Sequence, residues 1–374
     1  MKKKIAILTQ PLGTNYGGIL QNYALQQILI KLGYNPITIN RINVSRSWII
    51  NFLAYLRNET LNKIRGKYIP VFTKKDREKV FKNLYCFVEQ SIQNSKQIEK
   101  TSDLKKYFDK EDFYAVIVGS DQTWRPKYSP KIENYFLDFL KENNKIIKLA
   151  YATSFGTDKW EFSEPEKEIC KSLAQNFNSI SVREKTAIDI CKNKFNVEAE
   201  LVLDPTLLLN KEDYIKLLNL DNNIKSGTKS LFYYVLDNAP KNKQFITDIE
   251  KKNIFKIQSI QATAETINTV MPSVREWILS FYNNDIVITD SFHGTVFSII
   301  FNKPFFSVVN KERGASRFES LLGLFGLENR LIYDVENFDI NRLNEPIDFN
   351  SVNKKLEVNR LKSLKFLTEN LKND

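Results

Sequence analysis

The sequence is poor in the side chains that bind transition metals. It contains one histidine, His293, and three cysteines in 374 residues, and Cys86, Cys170 and Cys191 are far apart and form no Cys-x-x-Cys pair. Asp-x-Asp and His-x-x-x-His spacings are absent as well. The sequence therefore predicts no metal centre, and its isolated cysteines favour a reducing compartment, the cytoplasm.

Long apolar runs and the motifs of several large enzyme classes are also missing. No segment approaches the roughly 18 consecutive apolar residues of a membrane-spanning helix. There is no Gly-x-Ser-x-Gly nucleophile elbow, no phosphate-binding P-loop and no Gly-x-Gly-x-x-Gly dinucleotide fingerprint. The chemistry that remains is the binding of anions by arginines, helix N-termini and one imidazole.

Positive charge exceeds negative charge, with 55 Lys and Arg residues against 44 Asp and Glu and a net charge of +11. This excess is explained either by a solvated, lysine-rich surface or by attraction to polyanions. No nucleic-acid-binding signature accompanies it, so we expect no nucleic-acid partner. Residues 41–110 combine basic with aromatic and aliphatic residues, which favours either transient contact with an anionic membrane or a layer that covers the first sheet.

Short apolar runs typical of buried strands alternate with amphipathic segments typical of helices along the chain. Helices predicted on this basis include 19–32, 295–301 and 315–325. The pattern stops at Asp204 and Pro205, which we interpret as a hinge, and then restarts. The predicted fold class is α/β with two Rossmann-like domains facing a cleft; the predicted ranges are 1–206, 207–335 and a helical tail at 336–374.

One strand–turn–helix–strand segment, residues 285–309, contains the single histidine. A strand at 286–289 leads into the turn Asp290-Ser291-Phe292-His293-Gly294. Parallel βαβ units bind ligands at the carboxyl ends of their strands, and the N–H groups of a helix N-terminus attract anions there. Gly294 is expected to let a ligand approach the backbone closely. The alternative is that His293 is a structural residue in an ordinary turn.

Six stretches of the sequence together resemble the polysaccharide pyruvyl transferase family. In chain order they include Asn15-Tyr16-Gly17, Gly119-Ser120-Asp121-Gln122, Ser181-Val182-Arg183-Glu184, Leu203-Asp204-Pro205-Thr206, Asp290-Ser291-Phe292-His293-Gly294-Thr295 and Ser316-Arg317-Phe318. Each stretch alone is weakly specific, but all six occur in order, and the resemblance extends over about residues 5–332.

The resemblance implies a two-domain fold like that of the GT-B glycosyltransferases, with phosphoenolpyruvate as donor substrate and with no metal or other cofactor. It assigns donor binding to the His-Gly turn and to the arginine of the Ser-x-Arg-Glu stretch, here His293 and Arg183. Some members of the family have an arginine two residues before the histidine, where this chain has Ser291. Arg317 or Lys303 would then supply the cation.

These considerations give a set of predicted site residues. His293, Asp121 and Asp290 are predicted to be catalytic, although each aspartate has an alternative role as an N-cap or turn residue. Donor binding is predicted for Arg183, Ser291, Gly294, Thr295 and Arg317. Acceptor binding is predicted for Asn15, Tyr16, Gly17 and Gln122.

The resulting hypothesis is a cytoplasmic transferase that moves a pyruvyl group from phosphoenolpyruvate onto a hydroxyl pair of a cell-surface glycan or lipid-linked sugar, forming a ketal. Peripheral contact with the inner face of the cell membrane is an additional expectation. Two alternatives stay open. One is a GT-B-type glycosyltransferase that uses a nucleotide sugar, and the other is a non-catalytic protein that binds phosphorylated metabolites.

Overall fold

Two parallel β-sheets organise the chain, in a computed structural model that describes residues 2–43, 72–218, 229–261, 268–309 and 314–372. The first sheet has its strands in the order β2-β1-β3-β4-β5-β6, all parallel. The central strands are almost wholly buried, as expected when helices cover both faces. The strands are β1 (Lys4–Leu8), β2 (Asn35–Thr38), β3 (Phe113–Gly119), β4 (Ile147–Thr153), β5 (Ser179–Val182) and β6 (Glu200–Leu201).

The second sheet has the order β11-β10-β9-β7-β8 and is also parallel throughout. Its edge strand β11 has only two residues, too few to show a periodic pattern in the sequence, and it was not predicted. The strands are β7 (Ser230–Tyr234), β8 (Lys256–Ser259), β9 (Ile286–Thr289), β10 (Phe305–Val308) and β11 (Leu331–Ile332).

Six described α-helices accompany the first sheet. The side chain of Asn15 accepts the N–H of Gly18 at 3.1 Å and caps the first of them. This helix therefore begins three residues before the predicted start at residue 19, and Gly17 and Gly18 lie in its first turn. The helices are α1 (Tyr16–Lys31), α2 (Lys74–Val80), α3 (Lys82–Ser91), α4 (Thr101–Lys110), α5 (Glu164–Ala174) and α6 (Lys185–Ile190).

In the second half of the chain, too, a capping side chain makes one described helix begin earlier than predicted. Ser291 caps α10 by accepting the N–H of Gly294 at 3.2 Å, so this helix begins at Phe292 rather than at residue 295 as predicted. His293 and Gly294 consequently belong to its first turn. The helices are α7 (Lys211–Leu218), α8 (Pro240–Lys251), α9 (Val274–Asn283), α10 (Phe292–Ile300), α11 (Ser316–Phe325) and α12 (Phe349–Asn370).

Short helical turns complete the described part of the chain. Most are 3₁₀ helices, and one, Cys191–Phe195, is a π-helix that extends α6. The 3₁₀ segments are Ile132–Phe136, Asp138–Leu140, Pro205–Leu208, Glu328–Arg330 and Ile340–Asn344.

The last helix, α12, returns to the first half of the molecule. Phe366 and Leu367 are buried there, and the Phe366 ring lies 6.1 Å from that of Tyr151 on β4. The hydroxyls of Tyr34 and Tyr114 both donate to the carbonyl of Leu371, at 2.9 and 2.7 Å. The predicted helical tail is thus part of the packing of the first sheet.

The predicted fold class is confirmed: the protein is α/β, with two facing Rossmann-like sheets. The first sheet spans residues 4–201 and the second 230–332, while the exact domain limits at 206 and 335 stay a prediction. Asp204 and Pro205, interpreted as a hinge, are both buried, and Asp204 is only 1% exposed. They begin a packed 3₁₀ helix in which the Asp204 side chain accepts the N–H of Thr206.

The predicted basic segment at 41–110 is described only in part, and residues 44–71 lie outside the described ranges. Arg41 does not face the exterior, because its side chain is buried and donates from Nε to Asn134 at 2.8 Å. This residue cannot take part in membrane contact. Among the described helices, none has the length and apolar character to cross a bilayer.

Candidate active site

A cavity of about 510 Å³, the central pocket, lies at the carboxyl ends of both sheets. The strand order reverses between β1 and β3 in the first sheet and between β7 and β9 in the second. Ligands of parallel α/β sheets bind at such switch points. The segments that follow these four strands supply much of the lining, including Gly17, Asp121, Leu236 and His293. Both switch points therefore face one pocket.

A buried carboxylate joins the two halves behind two residues that line this pocket, Arg183 and His293. Asp204 accepts a hydrogen bond from Nη1 of Arg183 at 2.7 Å, and its same oxygen lies 3.5 Å from Nε2 of His293. Burial alone would raise the pKa of Asp204, but the neighbouring His293 and Arg183 side chains, with the Thr206 hydroxyl, hold it well below its usual range. Asp204 is thus an anion that fixes both a cation and the imidazole.

Arg183 keeps donors available after this pairing. Its side chain is only 2% exposed, and Nε and Nη2 have no hydrogen-bond partner among the described residues. The nearest other carboxylates are Asp121, 3.9 Å from Nη2, and Glu184, 4.0 Å from Nε. The guanidinium also stacks 4.4 Å from the ring centroid of Phe292. Buried donors of this kind are costly unless a ligand satisfies them.

Arg317 lines the same pocket at the start of α11. Burial, and then the nearby charge of Arg183, lower its pKa to about 10, so the side chain remains a cation at neutral pH. The two arginines come from different halves of the chain and approach each other against their mutual repulsion. This arrangement favours an anionic ligand between them.

The position of His293 depends on a glycine from the other half. A Cβ on Gly17 would lie 2.0 Å from Nδ1 of His293, so only glycine fits there. Gly294, predicted to give a ligand access to the backbone, lies in close contact with the sheet. A Cβ on Gly294 would lie 2.5 Å from the Oγ1 of Thr289, so this glycine allows α10 to pack against β9.

The two predicted catalytic aspartates differ in backbone conformation and in hydrogen bonding. Asp121 lines the pocket with an unusual positive φ of 68°, a strained conformation for a residue other than glycine. Asp290 also lines it, but its two oxygens accept the backbone N–H groups of Leu236 and Asp237 at 2.6 and 2.9 Å. Burial raises the pKa of Asp290 to about 6.

The predicted acceptor residues Asn15, Tyr16, Gly17 and Gln122 all line the central pocket. Asn15 caps α1. The hydroxyl of Tyr16 donates to the carbonyl of Pro272 at 2.6 Å, and its ring stacks 5.4 Å from Trp277. Gln122 accepts from Arg125 through its side chain. Three of these side chains are therefore already engaged within the protein.

Not every predicted donor residue reaches the pocket. Ser291 lines it, whereas Thr295 is directed at the sheet, where its hydroxyl lies 2.6 Å from that of Ser307. Thr295 and Gly294 are absent from the pocket lining. Lys303 precedes β10 and lies over the Tyr282 ring at 5.9 Å, at the opposite end of the sheet. Of the two proposed substitutes for the missing arginine, the structure places Arg317 in the pocket and not Lys303.

Several residues in or next to the pocket were not predicted as site residues from the sequence. Asp204 was noted only as part of a motif and a hinge, and its position directly after a strand was the signal that it belongs to the site. Arg77 on α2 adds a further cation to the lining, and Trp277 and Tyr234 form an aromatic wall. These last residues carry no local signal, because only the tertiary fold brings them to the pocket.

The two parallel sheets on either side of one pocket make a GT-B-like fold. Arabidopsis thaliana UGT89C1, complexed with UDP-L-rhamnose, aligns over 99% of both chains with a TM-score of 0.54 at 9% identity. The UDP-GlcNAc 2-epimerase from Neisseria meningitidis, bound to UDP-GlcNAc, aligns over 99% of both chains with a TM-score of 0.51 at 8% identity. S. aureus MnaA with UDP aligns over 99% of this chain and 97% of its own, with a TM-score of 0.52 at 12% identity.

The family within that class follows from the sequence. The model of the polysaccharide pyruvyl transferase family matches residues 15–312, which is most of the chain. The protein belongs to this family. No curated protein matched the sequence.

Proposed function

We propose that this protein transfers a pyruvyl group from phosphoenolpyruvate to two hydroxyls of a sugar in a glycan precursor. The observation that carries this proposal is the pair of buried, unpartnered guanidinium nitrogens of Arg183 in a pocket that also contains Arg317 and His293. Phosphoenolpyruvate presents a phosphate and a carboxylate, and a guanidinium binds either group in bidentate geometry. The proposal needs no metal ion, which stays a prediction.

Ketal formation requires two additions to C2 of the donor. Protonation of the C3 methylene makes C2 electrophilic, and one sugar hydroxyl attacks it. The bond between C2 and the phosphate oxygen then breaks, phosphate leaves, and the second hydroxyl attacks C2 to close the ring. One hydroxyl proton replaces the proton delivered to C3 and the other leaves with phosphate, so the products are the ketal and inorganic phosphate.

His293 is the proposed proton donor to C3. Imidazole side chains in unstructured peptides titrate near neutrality, at about pH 6.5, and Asp204 behind the His293 ring orients it from 3.5 Å. Asp121 is the proposed base for the sugar hydroxyl. Asp290, the other predicted catalytic residue, is better suited to hold the segment after β7, because both of its oxygens already accept backbone N–H groups.

A donor comparison tests the proposal. Thermal melting is measured with phosphoenolpyruvate, inorganic phosphate, UDP and UDP-sugars, since a ligand at about 100 times its Kd stabilises a protein by roughly 2.7 kcal/mol. Phosphoenolpyruvate should stabilise the protein most, and phosphate should then be released when a glycan acceptor is added. Stabilisation by a UDP-sugar alone supports the glycosyltransferase alternative instead. Donor binding without phosphate release on any acceptor supports a binding protein.

A further inference from the structure

A second cavity of about 530 Å³, the polar groove, opens at the carboxyl ends of β1 and β2. Thr14 and Arg77 line both the polar groove and the central pocket, so the two cavities adjoin. Among the described residues that line the groove, no others belong to the predicted site or to the central pocket. The groove is therefore a separate compartment next to the place where the donor is proposed to bind.

The chemistry of the polar groove differs from that of the central pocket. Among the described residues that line it, only Arg77 and Glu89 are charged, and they are of opposite sign. Amides and hydroxyls supply most of its polar groups, on Gln10, Asn40, Asn43, Asn94, Ser95 and Gln97. Such side chains bind neutral hydroxyl groups, whereas a phosphate or carboxylate needs the cations that the central pocket contains.

Backbone hydrogen bonds fix the floor of the groove. The N–H of Ser95 donates to the carbonyl of Thr38 at 2.9 Å, and the N–H of Asn40 donates to the Ser95 hydroxyl at 3.0 Å. Beside them, the Oδ1 of Asn94 is buried and has no hydrogen-bond partner in the described structure. The Nδ2 of the same side chain donates to the carbonyl of Ile92 at 3.2 Å, which holds this unpaired acceptor in place beside the groove.

An aromatic ring forms one wall of the groove. Gly13 has a φ of +121°, and a Cβ on it would lie 2.1 Å from the ring of Tyr85. Glycine at this position thus lets the ring of Tyr85 pack directly against the loop that leads to the central pocket. An aromatic face flanked by amides is a combination that suits a sugar ring, which has apolar C–H faces and a rim of hydroxyls.

We propose that the polar groove binds a neutral sugar of the acceptor, next to the sugar that receives the pyruvyl group. This inference rests on the proposed function, because it takes the central pocket as the place of transfer. It makes the preferred acceptor a neutral glycan of at least two sugar units. Arg77, at the junction of the two cavities, then lies between the donor and the bound glycan.

Saccharide binding to the full chain tests the proposal. The probes are neutral mono-, di- and trisaccharides of glucose, galactose, mannose and their N-acetylated hexosamines, measured by calorimetry, with phosphoenolpyruvate as a separate ligand. At least one di- or trisaccharide should bind about tenfold more tightly than its component monosaccharides. Asn40→Ala should weaken that saccharide about tenfold, the cost of roughly one hydrogen bond, and should leave phosphoenolpyruvate binding unchanged. Gln244→Ala, on the exposed face of α8, is the control.

The outcomes separate this inference from the proposed function. Absence of saccharide binding, preference for a charged saccharide, or equal affinity for monosaccharides and oligosaccharides would overturn it. Equal affinity of Asn40→Ala and wild type for the saccharide would overturn it as well, and thermal melting of Asn40→Ala shows whether a loss of affinity reflects misfolding. If saccharides bind as expected but phosphoenolpyruvate does not, the proposed pyruvyl transfer fails while the sugar site stands.

Discussion

At the scale of single residues, Asp204 has the central position in the candidate site. It follows the first sheet and contacts Arg183 from that half and His293 from the other. Its paired, ionised state stabilises the fold above the pKa that an aspartate has when unfolded, about 3.9, and this contribution is lost as the pH falls towards the lower folded pKa. One carboxylate thus orients the proposed proton donor and the proposed donor-binding arginine.

Replacing His293 by alanine should remove turnover and leave the fold intact. The imidazole is the proposed acid, and general acid catalysis contributes about 10²–10⁴ to a rate. Asp204 keeps its 2.7 Å contact with Arg183 in this variant, so the protein should still melt cooperatively. Phosphate release and thermal melting are measured together. A variant with normal melting and turnover within about tenfold of wild type, well below that range, would show that His293 is structural.

Arg183→Lys should weaken phosphoenolpyruvate binding by about tenfold or more, because an ammonium retains the charge but cannot bind a phosphate or carboxylate in bidentate geometry. Arg317→Ala should weaken it too. Arg330→Lys is the matched control, since Arg330 is a buried arginine that donates to backbone carbonyls of 345 and 346 away from the pocket. Calorimetry with phosphoenolpyruvate measures the effect. Unchanged affinity in both pocket variants would contradict the assignment.

At the scale of secondary-structure elements, the start of α1 is packed against the start of α10. Gly17→Ala should displace the His293 ring, because the new Cβ would lie 2.0 Å from Nδ1. We expect a large loss of turnover with α1 still formed, since alanine favours a helix over glycine by about 1 kcal/mol. Circular dichroism and phosphate release provide the two measurements.

Gly323→Ala provides the comparison for that variant. Gly323 is also helical, and a Cβ there would meet only the Glu328 Oε1 at 3.6 Å, an ordinary contact. This substitution should leave turnover unchanged and stabilise α11 slightly. Equal activity of the two variants would mean that the contact between Gly17 and His293 has no functional importance.

The positions of the strands and helix starts explain which parts of the site could be predicted from the sequence. Buried strands were readable because their apolar runs are local, and Arg183 and His293 follow such strands directly. Gly294 and Thr295, predicted to bind the donor, contact the sheet because Ser291 starts α10 earlier than expected. The sequence did not reveal the role of Asp204 in the site, because its partners Arg183 and His293 are 21 and 89 residues away along the chain.

At the scale of the whole molecule, Asp290 should make stability depend on pH. Its folded pKa of about 6 lies above the unfolded value, so the folded protein binds this proton more tightly. Ionisation between about pH 4 and 6 therefore lowers the free energy of unfolding, by up to roughly 3 kcal/mol. Wild type should lose that stability relative to Asp290→Asn as the pH rises through this window.

Urea unfolding at several pH values measures this difference. Asp290→Asn loses a backbone hydrogen bond at every pH, so only the pH-dependent part of the difference is diagnostic. Asp248→Asn removes an exposed aspartate that is paired with Lys251 and should not reproduce the trend. A pH-independent difference between Asp290→Asn and wild type would show that the Asp290 carboxyl titrates normally.

Contact of the whole protein with a membrane stays a proposal that rests on the net charge of +11. Basic residues near an anionic leaflet contribute about 1 kcal/mol each. Flotation with vesicles containing anionic lipid should show binding that weakens as salt rises, and vesicles of neutral lipid are the control. Failure to bind anionic vesicles at low salt would mean that the positive charge does not bring the protein to a membrane.

The return of α12 to the first half has a consequence for biosynthesis. Tyr34 and Tyr114 find their hydrogen-bond acceptor at Leu371, and the Tyr151 ring on β4 meets Phe366. The first sheet is translated early, but it cannot complete its core until residues 349–371 have left the ribosome. Domains usually fold in the order of their synthesis. Here the core of the N-terminal half stays incomplete, with part of its apolar surface uncovered, until α12 has been synthesised and docks.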